Sequence, residues 1–181
     1  ELWARNLGQM FVSPLRPVEL AAALMSVSLV RTLVGLIPAA LVAWLLYEFA
    51  ITSIWPGLIV FFFMLLAFSW AVGLAVCGLL LRYGLGAESL AWVTVFALAP
   101  ISAVYYPISI LPEWLQWVAL ATPSAHVFEG MRAVMLEGRF DWGHCLWALG
   151  LNVIAMALAI WTFVSAFDAA RRDGRLLQSG E

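Results

Sequence analysis

Apolar residues fill four long stretches of this chain, and the polar and charged residues gather between them. The first runs from about Val27 to Tyr47 and continues a helix expected to begin near Val18. The second lies within Ile54–Leu81, the third runs from Leu90 to Tyr106, and the fourth from Cys145 to Phe167. Crossing a bilayer takes about 20 apolar residues, so four transmembrane helices are expected. The uncharged run Phe49–Leu81 is too short for two helices and a turn, and reads as one tilted span. Trp55-Pro56 at its head provides a first-turn proline.

Polar positions orient these helices. Arg5, Arg16 and Arg31 precede or begin the first span, Arg82 follows the second, and Arg171, Arg172 and Arg175 follow the fourth. The positive-inside rule then places both ends of this segment and the 82–88 loop in the cytoplasm. Small residues recur every fourth position at Gly35, Ala39 and Ala43, at Ala67, Ala71 and Ala75, and at Ala148, Asn152, Ala155 and Ala159. Such faces let helices approach closely in lipid, so a packed bundle is expected.

Two stretches outside the spans carry patterns of their own. In WARNLGQMFVSPLRPVEL, Leu7, Met10, Phe11 and Leu15 scatter amphipathically between Arg5 and Arg16, and Pro14 and Pro17 end the segment. The connector after the third span holds Pro107, Pro112 and Pro123, each of which forbids an uninterrupted helix. Yet Ile108–Pro123 is apolar and contains Trp114 and Trp117, residues favoured at the headgroup boundary. Broken apolar helices at membrane depth survive only against protein or a water-lined cavity. A re-entrant hairpin in the outer leaflet meets both demands.

Composition agrees: of 181 residues, 65% are hydrophobic and 11% charged, with mean hydropathy +0.98. Soluble domains run nearer half apolar and a quarter charged. The net charge of −2 and scattered basic residues exclude a nucleic-acid footprint. Cys77 and Cys145 show no CxxC spacing and read as free thiols. No signal peptide is expected, and the opening on Glu1 suggests a fragment of something longer. All nine basic residues are arginine, and a phosphate-binding P-loop needs a lysine, so these residues hold no Walker-type ATPase site.

The opening pattern, with Glu1, Arg5, Asn6, Leu7, Ser13, Pro14, Leu15, Arg16, Pro17 and Glu19, resembles the cytoplasmic coupling helix of ABC-2 type permeases. The connector from Tyr105 to Gly138 resembles their outer hairpin through Pro107, Ser109, Leu111, Pro112, Trp114, Leu115, Pro123, His126, Glu129 and Arg132. Such permeases usually have six spans; the first two are missing here, so the resemblance implies a C-terminal fragment. It implies an all-α polytopic membrane domain over residues 1–181. Residues 1–18 form its coupling helix, 19–47, 54–81, 90–106 and 145–167 its spans, 107–142 its hairpin and 168–181 a cytoplasmic tail. It further implies coupling to a separate ATPase through Arg5, Leu7, Met10, Phe11, Pro14 and Arg16, and an outer gate at Pro107, Pro112, Trp114, Pro123, His126, Glu129 and Arg132. ATP and magnesium would sit on that partner, with no cofactor here.

The candidate polar residues also have plainer readings. His126 and Glu129 offer a metal pair without a third ligand, so no metal is expected. Glu129 and Arg132, three apart, read first as a helix-surface ion pair. Arg31 lies near a span interior, where an ionisable group is a functional hypothesis. Its plainer reading is a side chain snorkelling to the interface. Pro38 and Pro100 read as kinks within spans, and Asn152 as an interhelical hydrogen-bond donor. His144 and Cys77 are assigned no chemistry, whereas Trp70 and Trp161 are candidates to line a path.

The leading expectation is therefore the permease of an ATP-driven exporter in the cell inner membrane, pairing with a second copy and surrounded by lipid. A path poor in charge and rich in Phe, Trp and Met favours lipid-like, drug-like or lipid-linked saccharide cargo. The rivals are an intramembrane enzyme using His126, Glu129 and Arg132, which lacks a second acid, nucleophile or metal set, and a structural multi-span subunit.

Overall fold

The computed structural model describes residues 16–47 and 55–172. Among them are six α-helices and no strand: α1 (Pro17–Tyr47), α2 (Trp55–Tyr83), α3 (Glu88–Ile101), α4 (Glu113–Leu120), α5 (Pro123–Glu137) and α6 (Trp142–Arg172). Short 3-10 turns at Leu85–Ala87 and Ile108–Ile110 lead into α3 and α4. The opening stretch with Arg5, Leu7, Met10, Phe11 and Pro14 lies outside the described residues, as does the tail after Arg172.

Each boundary has a local cause. At the start of α1 the Arg16 backbone N–H donates to Glu19 Oε2 at 2.9 Å, and Pro17 takes the first helical position, where its missing N–H costs nothing. The helix then runs unbroken through Pro38. Gly84, at φ +74, closes α2 by donating its N–H to the Leu80 carbonyl at 2.8 Å.

Among the described residues, three helices are long and apolar enough to cross a membrane, over Val18–Leu46, Gly57–Tyr83 and Trp142–Ala170. At 1.5 Å per residue each is about 40 Å long, more than a hydrocarbon core of about 30 Å, which favours tilt. The third apolar stretch differs from expectation. Its helix, α3, has 14 residues and stops at Ile101 instead of reaching Tyr106. Pro100 cannot donate to the preceding turn, and two residues after the helix ends Ala103 adopts φ 57, outside the helical region. At about 21 Å, α3 alone falls short of a bilayer.

The core is built on α2 and α6. Phe61 clusters with Cys145 and Ala148, while Ala71 and Leu74 cluster with Ala159 and Phe163. Residue numbers rise together along both helices, so the two run parallel. Ala148, Asn152 and Ala159 are buried and Ala155 half-buried, and Ala71 is buried between half-buried Ala67 and Ala75. The α2 and α6 small-residue stripes therefore face the bundle.

The corresponding stripe on α1 does not. Ala21 reaches the α2–α6 core, but Gly35 and Ala39 are exposed, Ala43 is only half-buried, and a side chain at Gly35 would meet nothing within 4 Å. No described helix lies opposite that face. Asn152 is buried, and neither side-chain amide atom has a hydrogen-bond partner among the described residues. From Gly57 to Val76 the facing helix α2 carries only Ser69 and Trp70 as polar side chains, and the buried Trp70 Nε1 likewise has no partner among the described residues.

Candidate functional site

The hairpin is assembled from a broken chain whose loose backbone groups are gathered by side chains. Past Ile101, Ser102 Oγ donates to the Ala99 carbonyl at 2.9 Å and Tyr106 Oη to the Pro100 carbonyl at 2.7 Å. Pro107 is extended and opens the 3-10 turn; Pro112 is extended and opens α4, and Gln116 Nε2 donates to the Leu111 carbonyl at 2.7 Å. Pro123 sits in the first turn of α5, which ends on Gly138 at φ 66, a left-handed cap that suits glycine. Ala103, Ile108, Leu111, Ala119 and Ala125 bury themselves between these pieces.

Glu129 and Arg132 of α5 do more than pair with each other. Glu129 Oε1 accepts from Arg132 Nη1 at 3.0 Å and from the Ile108 backbone N–H at 2.8 Å. Arg132 Nη2 donates to the Ala103 carbonyl, and to the Val104 carbonyl at 3.4 Å. Ile108 follows a proline at the start of a turn, and Ala103 and Val104 lie past the end of α3. These backbone groups lack helical partners, and charge-assisted bonds supply them. The pair is a clamp across the break, with side chains only 25% and 21% exposed.

His126 belongs to a different contact. Its Nε2 donates to the Leu120 carbonyl at 2.9 Å, and its Nδ1 lies 3.1 Å from Nδ1 of His144 on α6. Trp147 stacks nearly parallel on the His126 ring, with centroids 6.1 Å apart. Burial pushes the His126 imidazole below its ordinary value; the bond to Leu120 opposes this and nearby His144 adds to it. Just before α6, Asp141 Oδ1 accepts the backbone N–H groups of His144 at 3.2 Å and Gly143 at 2.9 Å. The His144 bond is the main reason its carboxyl is held below the usual range.

The expected gate residues thus fall into three groups. Pro107, Glu129 and Arg132 close the break after α3, whereas Pro123 and His126 are buried toward α4 and α6. Pro112 and Trp114 lie on the exposed side. Both ring nitrogens of His126 are engaged, so it does not join Glu129 and Arg132 in one reactive centre. Arg31 is exposed and lines a shallow groove on α1 with Ser26, Val27, Val30 and Val34. Arg16, the last coupling candidate, contributes its backbone to the start of α1, and its side chain is exposed. No group of three or more metal-ligating side chains occurs among the described residues.

Sequence reasoning passed over His144, Asp141 and Gly130. Nothing local links His126 to a histidine 18 residues away. Gly130 did carry a signal: an interior helical glycine costs about 0.8–1.0 kcal/mol against alanine, so its presence points to a close approach. That approach is real, since the buried Phe61 ring occupies the space a side chain would need.

A cavity of about 450 Å³ opens between α2, α3 and the start of α5, lined by Leu65, Phe68, Val72, Leu98, Ser102 and Ser124 among others. Its wall is almost wholly apolar, with a few hydroxyls.

The family model for ABC-2 type transporters matches residues 4–136, from the opening stretch to the last turn of α5. No curated protein and no solved structure matches the chain.

Proposed function

Because this chain belongs to the family of ABC-2 type transporters, we propose that it is the membrane permease of an exporter driven by a separate ATPase subunit. It is a multi-pass membrane protein, with three long apolar helices and shorter helical pieces among the described residues. The observation that carries the reading is the family match over residues 4–136, from the opening stretch into the last turn of α5.

In this reading the chain crosses the cell inner membrane four times with both ends of the segment cytoplasmic, α3 completing its crossing together with the broken hairpin. The ATPase binds ATP and magnesium, and on closing it presses on the opening helix through Arg5, Leu7, Met10 and Phe11. Pro14, Arg16 and Pro17 fix the angle at which that push enters α1. The α2–α6 core carries movement to the hairpin, where Glu129 and Arg132 keep the pieces together as they shift. A second copy completes the pathway. The cargo is lipid-like or carries a lipid, a choice supported by the apolar cavity between α2 and α3 and the charge-poor spans.

The test is biochemical company. Full-length protein purified alone should hydrolyse no ATP, and hydrolysis should appear when its ATPase co-purifies. Robust hydrolysis by the isolated protein would end the permease reading.

A further inference from the structure

The chain has two histidines, and the fold brings their Nδ1 atoms to 3.1 Å. His126 Nε2 faces the Leu120 carbonyl at 2.9 Å, and a carbonyl only accepts, so Nε2 carries a hydrogen. In neutral His126 the Nδ1 is then a lone pair, and His144 must supply the hydrogen between them. The ring centres are 5.4 Å apart, which is the nitrogen–nitrogen separation extended by both ring radii. The two nitrogens therefore point straight at each other.

That alignment decides between a metal and a proton. A metal wants each nitrogen at about 2.0–2.1 Å from a common point toward which both lone pairs converge. On a straight line between nitrogens 3.1 Å apart, any such point is too close to one of them. A single hydrogen fits.

We propose that the His126–His144 contact is a one-proton latch that fastens the hairpin to the start of α6 and opens when both imidazoles are protonated. The uncharged pair is joined by Nδ1–H of His144 donating to Nδ1 of His126. A first added proton leaves the contact in place and makes it charge-assisted. A second must enter at Nδ1 of His126, where it sets N–H against N–H and one positive ring against another.

The surroundings offer the second proton no relief. Asp141, at the start of α6, turns its carboxylate to the His144 backbone, and Arg139 pairs with the other oxygen of that carboxylate at 3.4 Å. On α5, Glu129 and Arg132 are committed to each other and to the break after α3. The α4 helix carries only Glu113, at its far end, and α2 has no titratable side chain before Cys77. On α6 the neighbouring Cys145 is buried in the Phe61 cluster.

The sign follows from burial. His126 binds its proton less readily in the fold than in the unfolded chain, whose ordinary value is 6.5. Attachment is complete above that pH and is lost progressively as pH falls below it. This inference rests on the hairpin geometry and the burial of His126, and does not depend on the transport reading.

The experiment is amide hydrogen exchange over residues 121–127 in the full-length protein in lipid nanodiscs, corrected for intrinsic rates, between pH 7.5 and about 5. The parent should lose protection about fivefold across that range, the worth of one ordinary hydrogen bond. His144→Gln keeps an amide donor that cannot charge, so protection should persist and its pH dependence flatten. His144→Phe keeps a ring without nitrogen, so protection should be low throughout. Parent protection that does not change with pH, or a parent-like loss in His144→Gln, would overturn the latch. Nitrogen-15 histidine spectra of the parent give a second reading that needs no variant. They should show His126 protonated at Nε2 and bare at Nδ1 at neutral pH, and the opposite tautomer would also overturn it.

Discussion

The Phe61 ring of α2 lies where a side chain on Gly130 of α5 would stand, so that a methyl there would fall well inside contact distance of the ring. Phe61 is fully buried, clustered with Val127, Cys145 and Ala148, and stacked on Phe140 with centroids 5.4 Å apart. Three helices meet at this ring, so any shift it makes is against packed neighbours.

Gly130→Ala should therefore destabilise the protein by about 1–3 kcal/mol, the usual range for overpacking. Alanine's better helix propensity, worth about 0.8–1.0 kcal/mol, offsets only part of this. Thermal unfolding in detergent measures the loss, and adding Phe61→Leu should restore part of it. A single variant as stable as the parent would show that the ring moves aside freely.

The clamp makes a second expectation. Glu129→Gln keeps an oxygen for the Ile108 N–H and gives up only a partly exposed ion pair, for which about 1 kcal/mol is an upper figure. Glu129→Ala leaves the Ile108 N–H and the Arg132 guanidinium short of a partner, and should lose about 1–3 kcal/mol. Protease nicking in the 102–112 segment should rise with Ala and barely change with Gln. Equal nicking in both would assign the effect to charge instead of to the backbone bond.

Asn152 is buried without a partner among the described residues, in a stripe that selects small side chains. Asn152→Ala removes an amide that costs about 1–3 kcal/mol to bury unsatisfied, and opens little space beside Ala148 and Ala155. The variant should be at least as stable as the parent in thermal unfolding. A clear loss of stability would mean that the amide is satisfied in the membrane, by water or by a second copy.

Orientation is checked by thiol labelling in intact cells. A cysteine at Ser53 or Glu137 should react with an impermeant reagent from outside, and one at Gly84 should not. Outside labelling at Gly84 would reverse the proposed topology.

The opening stretch is tested through its apolar side. Leu7 and Phe11 changed together to Ala should weaken ATPase association while leaving insertion intact, because insertion depends on the spans. Truncating a central anchor at an interface costs about 2 kcal/mol or more, roughly thirtyfold in affinity. The measured quantities are protein in the membrane and ATPase retained on purification. Full retention with normal transport would leave the segment as an interfacial anchor on the headgroups.

The long helices were legible in the chain itself. Runs of apolar residues as long as Val18–Leu46, Gly57–Tyr83 and Trp142–Ala170 leave the backbone no way to satisfy itself in lipid except as helix. Prolines at 107, 112 and 123 mark the hairpin breaks for an equally local reason, the missing N–H. The Ala148–Ala159 and Ala67–Ala75 stripes were readable because helical periodicity alone puts them on one face. Which stripes find partners was not readable: the Gly35–Ala39 face has the same spacing and stays exposed in this chain. Tertiary packing also decided what each polar group touches. The spacing of Glu129 and Arg132 announces an ion pair, but its work is done on backbone groups of Ala103 and Ile108, which no side-chain pattern encodes. His126 and His144 meet only because α5 folds back against the start of α6, and Phe61 and Gly130 because α2 lies beneath it. Such contacts join residues far apart in the chain through shape and burial, and neither is a property of any one segment.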